Sequence, residues 1–275
     1  MEPLFLSERV DQPWRQYGYV ECDVLWKGKK LPYKVIMRNG VPVTIVSDAY
    51  RLIPLEYAEE VAQELARRLD ARLVRREYSY VTLRHPAEPV KVPLRIWLVY
   101  DLPGEEYQVG EHRIRFSYTV TNSLDATRAF QIMLTNVLNN RTYVLVPSRW
   151  TTAITPAEVA AFIREVHAGK KALDPVDQMV ERAHRIIEEG QKILPFLTIW
   201  AETQADDELI EMVKKKLPKI YLPPGVKEAG VRTYMTLLDL YVGIAEKIWQ
   251  SSRIGIDRRY QLFATLHSIF RAKSE

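Results

Sequence analysis

The sequence predicts an α+β fold. A curved, mostly antiparallel sheet packed on a long helix fills residues 1–150, and an all-helical region fills 151–275. Three observations carry this expectation. Short stretches of the first half are β-branched and aromatic or alternate with period two, one strongly amphipathic stretch interrupts them, and the second half switches to helical period.

Tyr17 to Leu25 and Leu31 to Met37 read as two strands turned by Lys27-Gly-Lys-Lys30, and Val43 to Val46 as a third. Pro54 then opens a helix. Leu55, Ala58, Val61, Ala62, Leu65 and Leu69 fall at helical spacing, with Glu56, Glu59 and Glu60 early and Arg67 and Arg68 late, which suits the helix dipole. Arg72 to Leu83 and Lys91 to Tyr100 follow as a strand pair broken by His85-Pro-Ala-Glu-Pro89, and Leu102-Pro-Gly104 turns the chain again. Arg113 to Thr121 alternates cleanly. It puts Arg113, Arg115, Ser117 and Thr119 on an expected basic, wet face, and Ile114, Phe116, Tyr118 and Val120 on a buried one. Arg128 to Leu134 fits strand or helix, and Tyr143 to Val146 closes the sheet.

The helical half starts at a capping box, Thr155-Pro-Ala-Glu158, whose helix runs to His167. A second helix from Asp174 toward Thr203 is expected to kink or stop near Pro195. Asp206 caps a short helix ending before Pro218, and Val231 to Trp249 and Arg258 to Ala272 finish the chain. The domain boundary is placed at 150/151.

The chain has 275 residues, 47% hydrophobic and 27% charged, which excludes a disordered or fibrous protein. No apolar run approaches the ~20 residues of a membrane span, and Met1 to Arg9 lacks the basic start and apolar core of a secretory signal. A cytoplasmic protein is expected. The single cysteine, Cys22, excludes intrachain disulfides and cysteine-cluster metal sites. Scarce asparagine with abundant Arg, Lys and Glu suits a thermophilic source.

Charge is uneven. Residues 67–150 carry a net +5 of the chain's +4, against −2 for 1–66 and +1 for 151–275. Within 112–150 stand Arg113, Arg115, Arg128, Arg141 and Arg149 against Asp125 alone. With a pI near 9.0, this is compatible with a polyanionic partner. Nucleotide-phosphate loops, the nucleophile elbow and paired histidines are absent from the sequence, so no catalytic residue, metal or cofactor is assigned. Guanidinium and ring do lie close together in Arg75-Arg-Glu-Tyr-Ser-Tyr80, in Arg113 to Tyr118 and in Arg149-Trp150. Single-strand binders use that combination to track phosphates and stack on bases.

Three stretches resemble the phage/plasmid-like family known as domain of unknown function 932. Val46-Ser-Asp-Ala-Tyr-Arg-Leu-Ile-Pro-Leu-Glu-Tyr-Ala58 is similar to its strand-to-helix opening. Val120-Thr-Asn-Ser-Leu-Asp-Ala-Thr-Arg128 is similar to its Asn-Ser-His-Asp-Gly-Ser, followed by Leu134-Thr-Asn-Val-Leu-Asn-Asn140 where the family has Thr-Pro-Val-Arg-Val-Val-Cys-x-Asn. Tyr234 to Ile248 is similar to its Tyr-Asn-Ala-x-Thr-Glu-Tyr helix. Leu124 and Ala126 stand where that family carries His and Gly. The resemblance implies a role in replication, recombination or repair of mobile-element DNA, and a plan similar to the RecT and Erf type of strand-annealing proteins.

Residues 121–141 have two readings of their own. Asn122, Ser123 and Asp125 are turn formers that bond local backbone. Alternatively Asn122, Ser123, Arg128, Asn139, Asn140 and Arg141 converge on phosphates and base edges in one groove, with Asp125 orienting an arginine. The expected function is therefore non-enzymatic binding of single-stranded DNA, or of RNA, by a homo-oligomer that needs no membrane; annealing of complementary strands is only what the resemblance implies. The expected contacts are Arg75, Arg76, Arg113, Arg115, Asn122, Ser123, Arg128, Asn139, Asn140, Arg141, Arg149 and Trp150. One alternative is an assembly component whose helical half docks a protein through Val231–Trp249. Another is a metal-dependent nucleic-acid enzyme acting through Asp125.

Overall fold

The computed structural model describes residues 4–10, 12, 14–83, 89–128, 130–146, 151–153, 174–227 and 235–271. Arg149, Trp150 and the Thr155–His167 helix expected from the sequence lie outside these residues, as does the start of the Val231–Trp249 stretch.

Two antiparallel sheets form. The first holds β1 (Phe5–Glu8), β2 (Tyr19–Trp26), β3 (Lys29–Arg38) and β4 (Val41–Ser47) in chain order. Its hairpins turn on Lys27-Gly28 and Asn39-Gly40, all four residues in the left-handed region. Two-residue hairpins need that geometry to match strand twist. After α1 (Leu55–Arg68) come β5 (Arg72–Leu83), β6 (Val90–Asp101), β7 (Tyr107–Val109), β8 (His112–Ser123), β9 (Gln131–Leu138), β10 (Thr142–Leu145) and β11 (Thr151–Ala153). They form a sheet of order β10-β9-β8-β6-β5, with β7 on β8 and β11 on β9. The ambiguous segment after Arg128 is thus a strand.

The helices of the second half are α2 (Asp174–Gln191), α3 (Leu194–Glu202), α4 (Asp207–Lys216), α5 (Pro224–Lys227), α6 (Leu237–Gln250) and α7 (Ile256–Arg271). The long helical stretch breaks between Gln191 and Leu194, and Pro195 falls in the first turn of α3, where its missing N–H costs nothing. Asp206 accepts from Leu209 N at 2.7 Å at the start of α4, and Thr236 with Asp239 forms a capping box on α6.

Helices cover both faces of the second sheet. On one face α1 lies against β6 and β8, and α2 against β8 and β9. Gly190 of α2 approaches so closely that a Cβ there would fall 2.7 Å from a Leu134 methyl. On the opposite face α6 stacks Trp249 on Tyr143, and α7 stacks Tyr260 on Trp97. One continuous apolar core runs from Trp14 to Phe270, so segments before and after residue 150 share it.

This layering corrects the expected wet face of β8. Arg113 is exposed and Arg115 half-buried, but Ser117, Thr119, Thr121 and Ser123 are buried. Small hydroxyls tolerate burial when hydrogen-bonded. Ser117 donates to Tyr100 O at 2.7 Å, Thr121 donates to Ile96 O at 2.9 Å, and Thr119 and Thr135 bond each other at 2.7 Å. Among the described residues, no helix is long and apolar enough to cross a membrane.

Candidate nucleic-acid interface

The expected contact residues do not gather in one groove. Arg113 and Ser123 lie at opposite ends of β8, ten residues and so about 33 Å apart. Arg75 and Arg76, adjacent on β5, point to opposite faces of the sheet. Arg75 stacks over Trp249 of α6 at 4.3 Å and donates to Glu77, while Arg76 pairs with Glu59 of α1 at 2.6 Å.

At the β7 end, arginines are met by carboxylates. Arg115 pairs with Asp101 at 2.7 Å and donates to Leu102 O at 2.8 Å. Arg113 stands 3.5 Å from Glu106, and Arg141 3.0 Å from Glu246 of α6. Asn139 and Asn140 have φ of 50° and 56° in the β9–β10 turn. Asparagine tolerates that conformation better than most residues, which accounts for the pair there. Asn139 Oδ1 accepts from Arg113 N, and Asn140 Nδ2 donates to Glu106. Both side chains therefore tie the turn to its neighbours, Asn139 to β8 and Asn140 to the segment before β7.

At the other end, the β8–β9 loop is built by its own sequence. Ser123 Oγ accepts from Arg128 N at 2.9 Å and donates to Arg128 O at 2.8 Å, closing the loop on itself. Asp125 Oδ1 accepts from Thr127 N at 3.2 Å, an Asx turn, with Ala126 at φ 58° beside it. Asn122 is buried and donates to Ile53 O at 2.8 Å, and Tyr50 OH donates to Ser123 O at 2.7 Å. The stretches 46–58 and 120–128 are thereby joined. Asn122 and Ser123 hold the loop in place, and their side chains are spent on backbone.

Asp125 does orient an arginine, but it is Arg95 of β6, whose Nη2 donates to Asp125 Oδ2 at 2.8 Å. Arg95 also donates to Asp257 of α7 at 3.2 Å. Burial pushes the Asp125 carboxyl up, but hydrogen bonds from Arg95 and Thr127 outweigh it and hold the group below the usual aspartate value. Asp257 also accepts from Trp97 Nε1 at 2.9 Å and from Ser79 Oγ, so it ties α7 to β5 and β6.

Arg128 leans into this cluster. Its guanidinium lies 4.1 Å from the Tyr260 ring centroid and 5.5 Å from that of Trp97, and it makes no hydrogen bond or ion pair with any described residue. A stacked, half-buried guanidinium keeps its five donors in a fixed plane, ready for a planar or phosphate acceptor. Sequence reasoning found Arg128 but missed Arg95, Trp97, Asp257 and Tyr260. No local pattern marks them, because they meet across 160 residues.

Among the described residues, no group of three or more His, Cys, Asp or Glu is placed to hold a metal ion. The apolar face of α6, expected to dock a partner, lies inside this chain, with Leu238, Leu240, Ile244 and Ile248 buried. No family model matches the chain, and no curated protein or solved structure matches it. The resemblance in 46–58 and 120–140 rests on the residues quoted for it.

Proposed function

We propose that this chain binds single-stranded DNA, without chemistry on it, through the β8–β9 loop and its surroundings. The observation that carries the reading is Arg128: a guanidinium braced on Tyr260 and Trp97, on a loop fixed from both sides, with its donors unmatched by any described acceptor. Phosphate supplies the missing acceptor. The exposed Tyr80, on the β5 edge with Lys91 over its ring at 4.5 Å, offers a cation beside a π-face on which a base can stack. Arg113 and Arg141 add weaker attraction, since each already faces a carboxylate. The resemblance to a mobile-element family points the same way, toward recombination or repair, and implies annealing of complementary strands.

Fluorescence anisotropy with labelled single-stranded and duplex oligonucleotides over a salt series tests this. Binding should favour single strands, and each phosphate contact should contribute about 0.7 to the log–log salt slope. Arg128→Ala should cost roughly tenfold in affinity, as expected for a charge-assisted hydrogen bond, and Arg113→Ala much less. No binding at low salt, or full affinity in a folded Arg128→Ala protein, overturns the proposal.

A further inference from the structure

The first sheet has two unlike faces. Its inner face sends Tyr19, Ile36 and Val46 into the main core. Its outer face builds a separate cluster of Cys22, Val24 and Val35, flanked by Val20, Leu31 and Met37. Alternation along the paired strands continues that outer face through Leu6 of β1, Trp26 of β2, Tyr33 of β3 and Ile45 of β4. These four are 50%, 47%, 51% and 67% exposed. Large apolar side chains at that exposure, side by side across four strands, are not the scattered surface leucines of a monomer.

We propose that a second copy of this chain packs on the outer face of the β1–β4 sheet, making a two-fold dimer. Area supports that occupant. The exposed rings and aliphatic chains, with Leu4 and the half-buried flanking residues, present roughly 600–700 Å² of apolar surface, so two copies bury about 1,200–1,400 Å², the range of a stable specific interface. Shape agrees, because a sheet face packs on an equivalent sheet face with strands aligned to within about 30°. Charge sets the direction. On this face Lys29 stands beside Trp26 at one end, and Glu8, which pairs with Arg15, stands beside Cys22, further toward the Tyr19 end. A two-fold axis lying across the strands brings the Lys29 end of one copy over the Glu8 end of the other, whereas an axis along the strands sets like ends together.

Light scattering on the DNA-free full chain at micromolar concentration decides. The expected mass is twice the 32.0 kDa of one chain. Ile45→Glu and Tyr33→Glu, both on exposed positions, should each return it to the single-chain mass with unchanged circular dichroism. A wild type that runs as one chain overturns the proposal, as does a dimer that survives both substitutions. Because no nucleic acid is present, neither outcome depends on the DNA-binding reading.

Discussion

Glu77 is the side chain whose loss should be felt most widely. On β5, its Oε1 accepts from Arg259 Nη1 and from Arg75 Nη1, each at 2.8 Å, and its Oε2 accepts from Ile256 N at 2.8 Å. Arg259 lies in α7, 182 residues away, with its side chain 4% exposed. Burial and the charge of Arg75 pull the Arg259 pKa down, while Glu77 pushes it up. Glu77→Ala therefore leaves a buried guanidinium with the Ser251 carbonyl but no counter-charge, and removes the acceptor of Ile256 N at the start of α7. Breaking a buried pair from one side costs about 3–5 kcal/mol. Since Glu77 itself is 26% exposed, the lower half of that range is expected. Against a typical stability of about 5–15 kcal/mol this is a large fraction. Urea unfolding followed by far-UV circular dichroism and by tryptophan fluorescence measures it. The midpoint should fall with the slope unchanged, and both probes should move together, because sheet and helices share one core. Glu77→Ala with Arg259→Leu should be less damaged than Glu77→Ala alone, the buried charge being gone. A loss under about 1 kcal/mol, or a double variant no better than the single, refutes the reasoning.

Arg115→Ala should cost about 1–3 kcal/mol, because it removes the ion-pair partner of Asp101 and the donor to the Leu102 carbonyl, whereas Arg113→Ala should stay within about 0.5 kcal/mol; equal midpoints in urea would contradict this. Ala126→Gly should raise stability by up to about 1 kcal/mol, since φ 58° strains a residue with a Cβ, and a marked loss of thermal midpoint would show that the turn does not need that conformation. Burial lowers the His267 pKa to about 4, against about 6.5 unfolded. The unfolded chain then takes up a proton that the folded chain refuses, so the contribution of His267 is complete above pH 6.5 and is lost as pH falls toward 4. His267→Gln should flatten the decline of thermal midpoint over that window, and parallel curves for the two proteins would count against it.

Much of the architecture was legible because it is local. Period-two alternation, the turn at Lys27-Gly28, the Asp206 cap and the apolar stripe of Leu55–Leu65 each depend on residues a few positions apart, and all appear in the structure. The Asn122–Arg128 loop was half legible. The bland reading of a turn former describes Asp125 and Ser123, but the arginine that Asp125 holds comes from β6, thirty residues away in the chain.

What tertiary structure alone decided is what covers each polar face and what answers each charge. Alternation reports that one side of β8 is apolar. It is silent on whether α6 and α7 bury the other side, because serine and threonine can go either way once their hydroxyls find a carbonyl. Likewise the arginines of 67–150 were visible as an excess of charge, yet Arg141 meets Glu246 across 105 residues and Glu77 binds Arg259 across 182. Coulomb attraction and hydrogen bonding act over ångströms in space and take no account of distance along the chain. Only the folded arrangement therefore distinguishes an arginine already matched from one, like Arg128, whose guanidinium is braced on two rings and makes no hydrogen bond or ion pair with any described residue.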